Sequence, residues 1–176
     1  MSGICVPQWL AQSKFIWDSN LWKNYNCIWL NSKIPYSDSM VGRELDQLEN
    51  LVQKYDEVIL AGHSLGAWWI SNLICRDSVN VEKTILFTPL TDTSQYPIFN
   101  ATPRYHPCNQ LPNINNIGLH KILIAYGNED LIVSQTRHAF NLVMHFKAMP
   151  VRLEGGHFYQ TNHKASLMYI KDWVES

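Results

Sequence analysis

The chain has 176 residues, of which 46% are hydrophobic and 16% charged, and its formal net charge is -1 at pH 7. This length fits one domain over residues 1–176, large enough to bury roughly 70% of the surface that the unfolded chain exposes. The apolar content argues against disorder, and the small net charge argues against a nucleic-acid partner. No apolar run approaches the roughly 20 residues that span a bilayer, so we expect no membrane span.

Strand-like runs alternate with helical ones along the chain. The predicted strands are residues 4–7, 27–30, 57–62, 83–88, 121–127 and 149–154, and the predicted helices are residues 37–55, 67–76, 134–146 and 161–174. Such alternation predicts an α/β protein, a three-layer sandwich with a parallel sheet between two layers of helices. Residues 91–120 hold four of the eight prolines and predict an irregular excursion, and loops of that length are usually functional.

Cysteine usage and the start of the chain bear on the compartment. Cys5, Cys27, Cys75 and Cys108 are scattered and show no C-x-x-C spacing. The first predicted strand begins close to Met1, which leaves no room for a secretory leader. We therefore expect a cytoplasmic protein with reduced thiols.

The stretch LAGHSLGAWW at 60–69 places a serine between a predicted strand and a predicted helix. Gly62, Ser64 and Gly66 match G-x-S-x-G, the pattern of a nucleophile elbow. The serine of such a turn has a strained backbone, and glycines two residues away let the strand and the helix approach each other. Ser64 is thus the predicted nucleophile, and the amide of Leu65 is the predicted first donor of an oxyanion hole.

Two further residues follow Ser64 in a telling order. Asp130, in GNEDLIV, comes directly after the fifth predicted strand, and His157, in EGGHF, comes directly after the sixth. Serine, then acid, then histidine is the chain order of α/β-hydrolases. In that chemistry the imidazole accepts the serine proton, and the carboxylate fixes the imidazole tautomer. Asp92, after the fourth predicted strand, is a second candidate for the acid, although its position between two threonines favours a turn cap.

Four segments carry a resemblance to a known family. They are VPQWLAQSKFIWDSNLW (6–22), AGHSLGA (61–67), AYGNEDLIV (125–133) and GGHFYQTNH (155–163). These segments resemble the small serine hydrolases typified by YdeN and retinoblastoma-binding protein nine. The resemblance implies a minimal α/β-hydrolase fold of about six parallel strands in the order 2-1-3-4-5-6, without a large lid. It also implies activity on esters or peptide-like substrates.

The loop after the first predicted strand departs from that family, which usually has glycine after Val-Pro. This chain has Gln8 there, followed by Trp9. The amide of Trp9 is the predicted second oxyanion donor. Two alternatives are open for Gln8: its side chain donates an extra hydrogen bond, or it distorts the loop.

A substrate pocket is assigned more loosely. His63 adjoins the nucleophile and is predicted mainly as a turn residue, because neighbours on an elbow point apart. The candidate pocket residues are Gln8, His63, Phe99, His106 and Phe158.

Taken together, these motifs predict a serine hydrolase that cleaves a carboxylic ester or related acyl bond of a small molecule through an acyl-enzyme. Peptidase and thioesterase activities are open alternatives within that class, and the mechanism requires no metal and no organic cofactor. A different class also fits: a non-catalytic protein of the same fold that binds a protein partner through a tryptophan-rich surface. Trp68 and Trp69, which follow the elbow, are however expected to pack in the core.

Overall fold

A computed structural model describes residues 3–8, 22, 24–31, 37–76, 79, 81–91, 121–157 and 164–176. Within these ranges the strands are β1 (Gly3–Gln8), β2 (Asn26–Asn31), β3 (Val58–His63), β4 (Lys83–Phe87), β5 (Lys121–Gly127) and β6 (Met149–Leu153). The helices there are α1 (Asp38–Val52), α2 (Leu65–Leu73), α3 (Ala139–Phe146) and α4 (Lys164–Glu175).

The six strands form one parallel sheet in the order β2-β1-β3-β4-β5-β6. This confirms the predicted fold class and strand order. The chain leaves β1 for β2 on one side and then crosses back to β3 on the other, so the direction of winding reverses between β1 and β3. In open α/β sheets ligands bind beyond the carboxyl ends of the strands at such a reversal.

The sheet is covered on both faces, as a three-layer sandwich requires. Side chains of β3 alternate between two apolar clusters: Leu60 packs in one with all of the apolar residues of α2, and Ile59 packs in the other with Ile170 of α4. Trp68 and Trp69 of α2 are only 0% and 2% exposed, and their rings meet edge to face at a centroid distance of 4.9 Å. The prediction that these two tryptophans belong to the core is confirmed.

Predicted and observed strand ends agree within one residue, whereas α3 is shorter than predicted. The expected helix starts at Ser134, but residues 134–138 form turns and α3 begins at Ala139. The Ser134 hydroxyl bonds to the Thr136 hydroxyl, and the Gln135 amide donates to the carbonyl of Gly127. These side chains stabilise a turn at the place where a first helical turn was expected. Of the predicted excursion at 91–120, only Thr91 lies inside the described residues.

Two smaller expectations can be compared with the described residues. Neither Cys27 nor Cys75 is in a disulfide, and burial raises the pKa of the Cys27 thiol. Among the helices that the structure describes, none is long and apolar enough to cross a membrane.

The amino end of β4 holds a buried lysine that closes the end of α4. Lys83 is 2% exposed, and its ammonium donates to the carbonyls of Trp173 at 2.9 Å and Val174 at 2.7 Å. The last four carbonyls of a helix have no intrahelical donor, and a cation there also complements the helix dipole. Lys83 therefore links the end of α4 to β4, a central strand of the sheet.

We expect Lys83→Met to lower the free energy of unfolding by about 2 to 3 kcal/mol, because it removes the charged donor from the buried carbonyl of Val174 and the half-buried carbonyl of Trp173. Urea unfolding measures the loss. Lys171→Met on the same helix is the matched control, since Lys171 makes only an exposed 3.7 Å pair with Glu175 and should cost less than about 1 kcal/mol. Equal losses in the two variants would show that the buried ammonium of Lys83 stabilises the fold no more than the exposed ammonium of Lys171.

Candidate active site

Ser64 lies in a strained turn between β3 and α2. Its backbone angles are φ 53° and ψ -114°, a left-handed region that a residue with a side chain rarely adopts. Its amide donates to the carbonyl of Phe87 on β4 at 2.9 Å. A Cβ on Gly62 would lie 2.7 Å from the carbonyl carbon of Gly66, closer than real contacts allow. The turn therefore requires glycine at 62, and it holds the half-buried Ser64 at the carboxyl edge of the sheet.

His157 is presented by a loop that follows β6 and is locked to the loop after β5. Gly155 has a positive φ of 96°, and its amide donates to the Asn128 side chain at 2.8 Å. A Cβ on Gly127 would lie 2.6 Å from the carbonyl oxygen of Gly155. Because glycine at 127 and 155 allows this close approach, the two loops bring His157 next to Asp130.

Asp130 is held on both of its carboxylate oxygens. Oδ1 accepts hydrogen bonds from the amides of Ile132 at 2.9 Å and Val133 at 2.8 Å, and Oδ2 lies 2.8 Å from Nδ1 of His157. The Asp130 side chain is 1% exposed and that of His157 is 4% exposed. Burial acts to raise the pKa of Asp130, but the hydrogen bond and charge of His157 and the two amides outweigh it and lower this pKa below 3.8. The carboxylate is therefore ionised at neutral pH.

The ionised acid fixes the tautomer of the histidine. A carboxylate only accepts hydrogen bonds, so Nδ1 of His157 carries the proton that is donated to Asp130. In the neutral ring Nε2 is then bare, and it lies 2.9 Å from Oγ of Ser64. The serine hydroxyl can donate to it. The geometry is that of a nucleophile, a general base and an orienting carboxylate in sequence, each within hydrogen-bond reach of the next.

The described residues include only part of the predicted site around these three. Leu65 is the first residue of α2, where amides have no intrahelical acceptor, and Gln8 ends β1 on the same edge of the sheet. The β1 ladder with β3 stops at Cys5↔Leu60, while the ladder with β2 continues to Gln8. Five predicted residues lie outside the described residues: Trp9, Asp92, Phe99, His106 and Phe158. Their roles stay predictions.

His63 is not the turn residue that the sequence pattern indicated. It is the last residue of β3, only 7% exposed, and its Nε2 lies 2.8 Å from the backbone carbonyl oxygen of His157. The centroids of the two imidazole rings are 5.0 Å apart. The strand continues through position 63, so its side chain is directed to the sheet face where the His157 loop packs. No motif indicated this contact, which joins residues 94 positions apart.

Burial of His63 predicts a measurable dependence of stability on pH. Desolvation and then repulsion from His157 lower its pKa from 6.5 to about 4, against opposing contributions from the bond to the His157 carbonyl and the charge of Asp130. Because the unfolded chain binds this proton more readily, the stability due to the neutral ring is complete above pH 6.5 and is lost as the pH falls towards 4.

Between pH 7 and pH 4.5 we expect the wild type to lose about 2 to 3 kcal/mol more unfolding free energy than His63→Gln. Urea unfolding of both proteins at the two pH values measures the difference, and the other titrating groups cancel between them. Parallel pH dependences would contradict a neutral buried His63.

Comparison with known proteins identifies the fold. No protein-family model and no curated protein sequence matches the chain. A serine hydrolase from Cycloclasticus zankles is 15% identical, with a TM-score of 0.72, over 99% of this chain and 90% of its own. A YdeN-like hydrolase from Pectobacterium atrosepticum is 16% identical, with a TM-score of 0.65, and the match covers 99% of this chain and 90% of that protein. Mouse α/β-hydrolase domain-containing protein 10 is 13% identical, with a TM-score of 0.65, and the match covers 98% of this chain and 88% of that protein.

At these identities the likeness establishes the architecture. The chain has the α/β-hydrolase fold, as its resemblance to the YdeN-type proteins implied. Its six-stranded sheet places the candidate site where that fold builds its sites, beyond the carboxyl ends of the strands.

Proposed function

We propose that the protein is a serine hydrolase that cleaves a carboxylic ester or a related acyl bond through a covalent acyl-enzyme. One observation carries the proposal: the unbroken series of hydrogen-bonding distances from Ser64 Oγ to His157 Nε2, 2.9 Å, and from His157 Nδ1 to Asp130 Oδ2, 2.8 Å. The description of one structural neighbour as a serine hydrolase supports the same chemistry.

In the first half of the reaction Ser64 Oγ attacks the substrate carbonyl carbon while His157 Nε2 takes the hydroxyl proton. A tetrahedral intermediate forms, and its negative oxygen needs donors aimed at it. The amide of Leu65 fits this role because the first amides of a helix lack intrahelical acceptors and lie at the positive end of the helix dipole. Collapse of the intermediate breaks the acyl bond as His157 returns the proton to the leaving group.

In the second half a water molecule attacks the acyl carbon while His157 Nε2 takes its proton, and the bond from the acyl carbon to Ser64 Oγ then breaks as His157 returns the proton to Oγ. Asp130 stays ionised throughout and stabilises the imidazolium that forms at each stage. The amide of Trp9 is the proposed second oxyanion donor. The position of Gln8 at the carboxyl end of β1, beside the reversal of winding between β1 and β3, supports this choice.

A fluorophosphonate probe tests the proposal directly, because it phosphonylates an activated serine and leaves an ordinary hydroxyl untouched. We expect stoichiometric labelling of the wild type, with the adduct on the peptide that contains Ser64. Ser39→Ala is a matched control, since Ser39 is an exposed serine on α1, and it should label like the wild type. An unlabelled wild type, folded by circular dichroism, would overturn the proposal.

The substrate class within the proposal is narrowed by a panel of nitrophenyl esters of increasing acyl length and of aminoacyl amides. Turnover of esters alone indicates an esterase, and turnover of amides at comparable kcat/KM indicates a peptidase. The candidate acyl-binding residues Phe99, His106 and Phe158 enter this proposal as predictions from the sequence.

A non-catalytic protein that binds a partner through surface tryptophans has less support. Trp22, Trp68 and Trp69 are at most 4% exposed, so three of the seven tryptophans are unable to form such a surface. The burial of these tryptophans therefore favours the hydrolase over the partner-binding protein.

A further inference from the structure

One buried residue beside the candidate triad has no part in the mechanism above. His63 precedes the nucleophile, lies at the end of β3, and has its imidazole Nε2 2.8 Å from the backbone carbonyl oxygen of His157. A carbonyl oxygen only accepts hydrogen bonds, so Nε2 of His63 carries a proton and donates it. The end of β3 therefore has two roles. It positions Ser64, the proposed nucleophile, and through His63 it contacts the loop that carries His157, the proposed general base.

We propose that His63 is a positioning residue, whose donated hydrogen bond to the His157 carbonyl fixes the His157 imidazole between Asp130 and Ser64. The inference rests on the proposed function. It replaces the sequence-based assignment of His63 to the substrate pocket.

The geometry explains why the His157 loop needs a tether at this point. The loop is held on its β5 side by the bond from the Gly155 amide to Asn128, and by the bond from the Glu129 amide to the Gly155 carbonyl at 3.0 Å. Both contacts precede His157 in the chain. The bond from His63 attaches to His157 itself, on the side of β3, and so restrains the residue from the opposite direction. A shift of about 1 Å in a catalytic group costs about a hundredfold in rate.

The charge state of His63 suits this role. Its ring centroid is 5.0 Å from that of His157, so a charged His63 would oppose the imidazolium that forms during turnover. Burial, followed by repulsion from His157, lowers the pKa of His63 to about 4. The ring is therefore neutral at pH 7 and donates its hydrogen bond without adding a second positive charge.

Two substitutions separate the donor from the packing. His63→Gln keeps an N–H donor at about the reach of Nε2, whereas His63→Leu keeps a similar volume and removes the donor. Hydrolysis of one nitrophenyl ester is measured for both, with active sites counted by fluorophosphonate titration so that unfolded protein does not affect kcat. We expect His63→Leu to lower kcat by about tenfold to a hundredfold with KM unchanged, and His63→Gln to stay within about threefold of the wild type.

Each other kinetic result argues against the inference. Equal kcat values in His63→Leu and the wild type would show that the tether is unnecessary. Equal losses in the Leu and Gln variants would show that the donor is irrelevant. A KM that changes with acyl length, at constant kcat, would return His63 to the substrate pocket. If His63→Leu does not fold, His63→Asn replaces it, because its amide is too short to reach the His157 carbonyl.

A spectroscopic readout keeps the inference testable if the protein turns over no substrate. The Nδ1 proton of His157, shared with Asp130, should resonate far downfield in the proton NMR spectrum, and its identity is checked by its loss in His157→Ala. We expect this resonance in the wild type and His63→Gln, and its broadening or loss in His63→Leu. An absence of turnover would contradict the proposed function but not the positioning role. A resonance that persists unchanged in every His63 variant would overturn the positioning role.

Discussion

Ser64→Ala should lower kcat on any ester substrate by about a millionfold, the loss seen when the nucleophile of a comparable triad is removed. The reason is that His157 and Asp130 act only through the serine in the proposed mechanism, so their arrangement contributes little once Oγ is absent. The alanine variant should fold like the wild type, because Ser64 is held by backbone groups: its amide bonds to Phe87, and its carbonyl accepts from Trp68 at 3.1 Å. Initial rates at saturating ester and a thermal melt measure the two expectations.

Ser39→Ala serves as control, since it makes the same substitution on an exposed residue of α1 and should keep full activity. Ser64→Ala should also lose its reaction with a fluorophosphonate. Esterase activity above a tenth of the wild type in a pure preparation of the alanine variant would remove Ser64 from the mechanism.

The parts of the site that the sequence predicted are those with a local steric cause. The G-x-S-x-G motif can be recognised in the sequence because the turn admits no Cβ at position 62. A Cβ there would lie 2.7 Å from the carbonyl carbon of Gly66, only four residues away. The strands can also be recognised in the sequence, because of their burial. A parallel strand buried on both faces reads as a continuous apolar run, as in β3, where every residue is buried.

The parts that the sequence did not predict depend on contacts between distant segments. His63 meets His157 across 94 positions, and only the path of the loop after β6 creates that contact. Gly127 reads as the end of a strand, yet its lack of a Cβ is required by Gly155, 28 positions later. Periodicity describes one element at a time and carries no information on how two loops approach each other.

The start of α3 was misplaced for a third reason. Apolar spacing predicted a helix from Ser134, but the acid loop uses its backbone amides for another purpose. The amides of Ile132 and Val133 bond to the Asp130 carboxylate, which fixes a tight turn directly before the predicted start. Short polar side chains compete with helix formation in this way. Further turns up to residue 138 follow this one, so α3 begins at Ala139, five residues later than the pattern predicts.

The choice of acid between Asp130 and Asp92 is open to a sharp test. Asp130→Asn should lower kcat by about three to four orders of magnitude, because the amide NH₂ in place of Oδ2 donates to Nδ1 of His157 and moves the ring proton to Nε2. A protonated Nε2 is unable to accept the serine proton. The remaining Asn oxygen still accepts from the amides of Ile132 and Val133, so the loop and the fold should persist.

Two controls make the loss specific to the acid. Glu129→Gln removes the same charge from the exposed neighbouring residue and should leave kcat within about twofold, since surface charges away from the reacting atoms contribute little. Asp92→Asn should cost about tenfold or less, because the sequence predicts a turn cap at this position, and such a residue affects the reaction only indirectly. All variants are measured on one ester at saturating concentration, with active sites titrated. If Asp92→Asn were the severe variant and Asp130→Asn the mild one, the 2.8 Å contact between Asp130 and His157 would not be the contact that orients the base.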